Sequence, residues 1–155
     1  IETQNGHVLA LDVQEPIRPK PSLTETIEGI HQLGGTAIIA HPASALKSAM
    51  GQKFSSVSSL DAVEVINSST FPFFASVYLS RLLAERLHLP ETAGSDAHRP
   101  QEIGKAYTLV EADPDPDDII EAIRKGRTKP FGKPISWTMR LGRGASGLRE
   151  RLRGH

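Results

Sequence analysis

Thr36-Ala-Ile-Ile-Ala40 is a short, unbroken apolar run that leads straight into His41-Pro42. It is too brief for an ordinary helix and offers no polar face to water. Such a run suits a strand covered on both sides, as in a parallel sheet flanked by helices. Leu60-Asp-Ala-Val-Glu-Val-Ile66 reads as a second strand, with Asn67 at its end, and Tyr107-Thr-Leu-Val110 as a third. His7-Val-Leu-Ala-Leu-Asp-Val13 reads as a strand that follows an Asn5-Gly6 hairpin turn.

Helix signals alternate with these runs. Ser22-Leu-Thr-Glu25 is a capping box, in which Ser22 bonds the Glu25 amide and Glu25 reaches back. A helix is expected from about Leu23 to Leu33, with Leu23, Ile27 and Ile30 on one face, ended by Gly34-Gly35. Phe73 to Leu87 reads as a long helix stopped by Pro90, with Val77, Leu79, Leu82, Leu83 and Leu87 apolar. Asp115-Pro-Asp-Asp118 opens another, with Ile119, Ile120 and Ile123 on its buried face and Lys125-Gly126 at its close. Between these, Pro16, Pro19 and Pro21 make an extended loop, and residues 43–59 read as a loop with some helix. The alternation argues for an α/β fold with a largely parallel sheet.

Composition narrows the chemistry. The 155 residues suffice for one domain with a sizeable core. Lys plus Arg and Asp plus Glu both number 18, so no overall charge draws the chain to nucleic acid or membrane. Cysteine is absent, so a metal site must use His, Asp or Glu. No apolar run spans a bilayer and no signal peptide is visible, which makes a soluble cytoplasmic protein the default expectation. The chain begins at Ile1, already in strand-like sequence, and is expected to be the C-terminal part of a longer protein.

The polar residues stand at strand ends. In Thr92-Ala-Gly-Ser-Asp-Ala-His98, Asp96 and His98 flank one alanine. At an extended strand end, residues i and i+2 point the same way, so carboxylate and imidazole would converge. These are ligand types for Zn, Mn or Fe, although an Asp–His hydrogen bond in a turn fits the same spacing. In parallel α/β folds, sites gather at the C-terminal ends of strands, so His41, Asp96 and His98 are expected on one rim. By its own sequence His7 reads as a turn histidine beside Asn5-Gly6, and His41 fits a strand cap equally well. Glu64, between Val63 and Val65, points either into the rim or to solvent and is not assigned as a ligand. His31 and His88 read as structural or surface residues, and His155 is terminal.

Taken together, Gly6-His-Val-Leu-Ala-Leu11, Gly34-Gly-Thr-Ala-Ile-Ile-Ala-His-Pro42, Asp61-Ala-Val-Glu-Val-Ile66 and Gly94-Ser-Asp-Ala-His98 resemble the PHP (polymerase and histidinol phosphatase) family, with Ile103-Gly-Lys-Ala-Tyr-Thr108 as a further likeness. The resemblance covers roughly residues 1–131, read as the C-terminal part of a PHP domain, with 132–155 as a basic tail or loosely packed terminal helix. That tail is read as solvated, with contact to nucleic acid or a larger protein as the lesser alternative.

The resemblance implies a portion of a distorted, open (β/α)7 TIM-like barrel whose rim binds two or three divalent ions (Zn, Mn or Fe). By it, His7, His41, Asp96 and His98 fall on metal-ligand positions. It further implies a metal-dependent phosphoesterase that hydrolyses a phosphate monoester, or the phosphodiester of a nucleotide or short oligonucleotide, with metal-activated water. Asp96 and His98 would be catalytic. The alternatives are a histidinol-phosphate phosphatase and a non-catalytic remnant kept for folding or partner binding.

Departures from the family matter too. Its N-terminal His-x-His motif is absent, and its acidic ligand would fall just before Ile1, with Glu2 a poor substitute by register. The chain alone is therefore expected to be weakly active or inactive. Where many members have a phosphate-binding arginine after His-Pro, Ser44 stands here, and Arg99 is the candidate to compensate. No oligomeric state is fixed by the sequence, although a truncated barrel would expose an apolar edge through which copies associate.

Overall fold

The computed structural model describes residues 1–4, 6–17, 22–43 and 59–142. The order of elements is β1 (Glu2–Thr3), β2 (Gly6–Leu11), α1 (Leu23–Gln32), β3 (Thr36–Ala40), β4 (Ala62–Asn67), α2 (Phe73–Leu87), β5 (Glu91–Gly94), a 3-10 turn (Pro100–Glu102), β6 (Ala106–Val110), α3 (Pro116–Arg124) and β7 (Thr128–Gly132). Most of the loop expected over residues 43–59, and Arg143, Arg149, Arg151 and Arg153, lie outside the described residues.

Local chemistry sets the helix ends. The Ser22 hydroxyl accepts the Glu25 amide at 3.2 Å and donates to the Glu25 carboxylate at 2.8 Å. Glu25 therefore reaches back to the hydroxyl, where a regular capping box uses the backbone amide. Gly34, with φ of 79°, takes the left-handed conformation that releases the chain from α1 into β3. Asp115 caps α3 by accepting the Asp117 amide at 3.0 Å.

The strand β3 is buried along its whole length, as an unbroken apolar run requires. Ala37 and Ile39 join Val8, Ile27, Ile30, Val63 and Val65 in the larger core. Ile38 points the other way, to Ala62 and Ile123, with Ile119 packed alongside. The face of α1 made by Leu23, Thr26, Ile27 and Ile30 is buried. Only part of the apolar sequence of α2 is so used: Leu83 and Ala84 are buried, whereas Leu79 and Leu82 are 41% and 42% exposed.

The sheet has the order β1-β2-β3-β4-β5. The β3–β4 and β4–β5 pairs are parallel, whereas β1–β2 and β2–β3 are antiparallel. The expectation of a largely parallel sheet is thus met only in its second half. A strand's side-chain period carries no information on its direction, so the sequence of β2 reads the same either way.

No closed barrel is seen among the described residues. The β6–β7 pair forms a separate antiparallel sheet. It is held to β5 by threonine side chains in place of a ladder. Thr108 Oγ1 accepts the Ala93 amide at 2.8 Å and donates to the Ala93 carbonyl at 3.0 Å, and Thr128 Oγ1 donates to the Glu91 carbonyl at 2.8 Å. The expected TIM-like barrel portion is therefore, as observed, a mixed α/β sheet with a small second sheet on its edge.

The described part of the basic segment is tied down. The Lys133 amide bonds the Lys105 carbonyl and the Ile135 amide the Ser68 carbonyl, each at 3.0 Å. Ile135 is buried. Residues 137–142 are helical, and from this turn Arg140 donates to the carbonyls of Ser69 and Thr70 at 3.0 and 2.8 Å. Among the described residues, no helix is long and apolar enough to cross a membrane.

Ser68, at the end of β4, is fully buried and its hydroxyl has no hydrogen-bond partner. A buried polar group left unpaired costs about 1–3 kcal/mol. Ser68→Ala is therefore expected to leave thermal stability unchanged or to raise it, and a melting temperature several degrees lower would contradict this.

Candidate metal centre

The topology brings four sequence positions to one end of the sheet. In parallel β3, β4 and β5 the C-terminal ends lie together, so His41, Asn67 and the segment after Gly94 share a rim. Because β2 runs antiparallel to β3, its N-terminal end reaches the same rim, with His7 opposite Ala40. The reversed direction of β2 is what makes His7 and His41 neighbours.

Their rings meet edge to face, with centroids 5.0 Å apart at 79°. His7 Nδ1 and His41 Nε2 are 3.2 Å apart. The pair lines a cleft of about 490 Å³ with Glu64, Asn67, Gly94 and Asp96. Burial holds the His41 imidazole below its ordinary pKa, while the charge of Asp96 opposes that shift and His7 adds to it. The neutral imidazole favoured in this way is the form that binds a metal.

Glu64 lies beneath the histidines. It is 5% exposed, and its Oε2 accepts the His41 amide at 2.9 Å and the Asn67 side-chain amide at 3.0 Å. Burial pushes its carboxyl up to about 7, the two hydrogen bonds pull it down, and Asp96 raises it again. Of the two orientations open to Glu64 in the sequence, the structure takes the one into the rim. A charged residue within a buried apolar strand was the available signal, since such residues are seldom buried without partners. Glu2 lies opposite His7 on β1 and also lines the cleft, so register does not exclude it from the site.

The Asp96–His98 pair is arranged differently from expectation. The strand β5 ends at Gly94, and Asp96 has a left-handed φ of 46°. The alternation of an extended strand therefore does not apply to these two residues. The carbonyl of Asp96 accepts the Ser69 hydroxyl at 2.8 Å, and Asp96 lines the cleft. His98 is not among the cleft-lining residues. Its Nε2 is 3.7 Å from Asp96 Oδ1, beyond hydrogen-bonding distance, and its side chain is 64% exposed. The fully buried Glu102 accepts the His98 amide at 2.7 Å and the Arg99 amide at 3.2 Å, which fixes this loop.

Arg99, the candidate for substrate phosphate, donates to the Gly142 carbonyl and is not brought to the cleft. His31 bonds Asp61 at 2.9 Å, and His88 takes a left-handed φ of 54° at the C-cap of α2. Both serve structure, as the sequence suggests.

The donor set fits a divalent ion in part. His7 Nδ1 and His41 Nε2, within hydrogen-bonding distance of each other at 3.2 Å, are both nitrogens of the type that ligates zinc. Among the described residues, however, no three His, Asp or Glu side chains are already gathered around one point. Asp96 is the nearest addition by chemistry, since it lines the same cleft and its charge acts on His41.

Comparison with known proteins agrees with the resemblance in the sequence. Residues 78–128, which include Asp96, His98 and Arg99, match the family described as PHP-associated. A two-domain protein containing a predicted PHP-like metal-dependent phosphoesterase from Bacteroides vulgatus ATCC 8482 shares the fold at a TM-score of 0.62 and 18% identity, over 83% of this chain and 41% of that one. PsfC from Pseudomonas syringae PB-5123 does so at 0.62 and 19%, over 98% of this chain and 64% of that one. The chain thus spans less than two thirds of either structure. No curated protein matches it. The family match covers about a third of the chain, residues 78–128, and the two solved structures share its fold.

Proposed function

We propose that the chain forms part of a metal-dependent phosphoesterase, acting on a phosphate monoester or on the phosphodiester of a nucleotide or short oligonucleotide. The observation that carries this reading is the meeting of His7 and His41 at 3.2 Å in a cleft that Asp96 also lines. His7, His41 and Asp96 would hold divalent ions, with His98 contributing from the adjoining loop. Ions of this kind neutralise phosphate oxygens and lower the pKa of a water.

The chain's own residues have separate parts in this. Burial lowers the pKa of His41 and so favours its neutral form, although the charge of Asp96 opposes this. Asp96 supplies the negative charge on the open side of the cleft. For Arg99 to bind substrate phosphate, its guanidinium, which now donates to the Gly142 carbonyl, must be brought toward the cleft. A second reading is a non-catalytic PHP module, and it draws on the lack of a preassembled three-donor group among the described residues.

A phosphatase assay on this chain and on a version extended upstream separates the two. The enzyme reading predicts hydrolysis by the extended form that stops with a chelator and returns with Zn, Mn or Fe. No hydrolysis in any metal would favour the non-catalytic module.

A further inference from the structure

We propose that Glu64 is a positioning residue that sets His41 against His7, and that position 94 is a glycine to make room for it. The inference rests on reading His7 and His41 as metal donors, but its geometry stands apart from any metal.

His41 is held in an unusual backbone state. Its φ is 35°, in the left-handed region that residues other than glycine rarely occupy. Such a conformation persists only where the surroundings over-determine it. Pro42, itself fully buried, follows in sequence and adds to the strain, since a proline pushes the residue before it toward extended backbone. The constraint that holds His41 comes from another strand. The His41 amide is taken by Glu64 Oε2 at 2.9 Å, across from the neighbouring parallel strand. With φ held, the amide direction restricts where the Cα–Cβ bond points, and so where the ring lies whose Nε2 meets His7 Nδ1 at 3.2 Å.

Glu64 is itself locked. The Asn67 side-chain amide bonds the same Oε2 at 3.0 Å, and Asn67 Oδ1 accepts the Ser69 amide at 2.9 Å. The Ser69 hydroxyl holds the Asp96 carbonyl at 2.8 Å. One chain of bonds therefore runs from the His41 backbone through Glu64, Asn67 and Ser69 to Asp96. The other carboxylate oxygen, Oε1, occupies the space over Gly94. A Cβ built on Gly94 would stand 2.3 Å from it, closer than any real contact. An alanine there must displace Oε1, and with Oε2 tied to Asn67 the carboxylate is expected to turn from the His41 amide.

The test compares Glu64→Gln, Glu64→Ala and Gly94→Ala in the full chain by two readouts. The first, without metal, is the long-range 1H–15N NMR correlation of the histidine rings, which reports the tautomers of the His7–His41 pair. Glutamine keeps an acceptor oxygen in place, so E64Q is expected to retain the paired signature. E64A and G94A are expected to lose it. The second is zinc titration, in which E64Q should stay within about threefold of the parent while E64A and G94A weaken about 10–100-fold, as for other residues that orient metal ligands. Should E64A not fold, Glu64→Asp takes its place, since it keeps the charge but falls one methylene short of the His41 amide. Retention of the ring signature by E64A and G94A would overturn the proposal, as would its loss in a folded E64Q. If the parent binds no zinc, the metal reading fails, and the ring signature alone decides the role of Glu64.

Discussion

Asp96→Ala is expected to lower phosphoesterase activity on the order of a hundredfold or more, with little change in folding. Asp96 lines the cleft beside His41 and Glu64. Its carbonyl takes the Ser69 hydroxyl, and alanine keeps that carbonyl. The left-handed φ of 46° is less comfortable for alanine than for aspartate, which sets a modest stability cost. Activity should therefore fall far more than the melting temperature. The comparison is made by steady-state hydrolysis and thermal unfolding of the upstream-extended protein. Parent-like activity in D96A would remove Asp96 from the chemistry. A collapse of the fold would make it a structural residue.

A second large effect is expected in the pH dependence of stability of the metal-free chain. Glu64 has its carboxyl raised from 4.5 to about 7, first of all by burial. Between these values the folded chain holds a proton that the unfolded chain has released. The free energy of unfolding from this group therefore falls as pH rises from about 4.5 to 7, and is level above that. The gap corresponds to about 3 kcal/mol. His41 works in the opposite sense, because burial lowers its pKa and its contribution grows as pH rises through the ordinary histidine range. The difference between parent and E64Q isolates Glu64. Denaturant unfolding at pH 5, 6, 7 and 8 should show E64Q gaining on the parent as pH rises. A constant difference across that range would show that Glu64 does not titrate as its burial requires.

Much of the fold is legible in the sequence because local chemistry decides it. Thr36–Ala40 had to be covered on both faces, and it is. Ser22 and Asp115 announce helix starts through side chains that take free amides, and both do so. What the sequence hides is long-range. Nothing local tells β2 to run antiparallel to β3, yet that direction brings His7 to His41. The strand β7 is masked by its own composition: Thr128-Lys-Pro-Phe-Gly132 contains a proline, which ordinarily argues against a strand, and here it lies in a two-stranded pair.

The candidate site is similarly divided. His7, His41 and Asp96 line one cleft. His98 and Arg99 stand outside it, because the chain leaves the extended conformation before Asp96 and strand alternation no longer predicts direction. Glu64 was visible as a carboxylate amid valines, but its role depends on the amide of a residue on another strand. Spacing along the chain cannot show that contact.

The most direct test of a divalent centre at His7, His41 and Asp96 is metal content by mass spectrometry. The chain is stripped with a chelator, reloaded with Zn, Mn or Fe, and desalted, alongside His7→Ala and His41→Ala. Stoichiometric metal on the parent, lost from both variants while their folds persist, is the expected result. A parent that retains no ion in any of the three metals, or variants that retain as much as the parent, would contradict it.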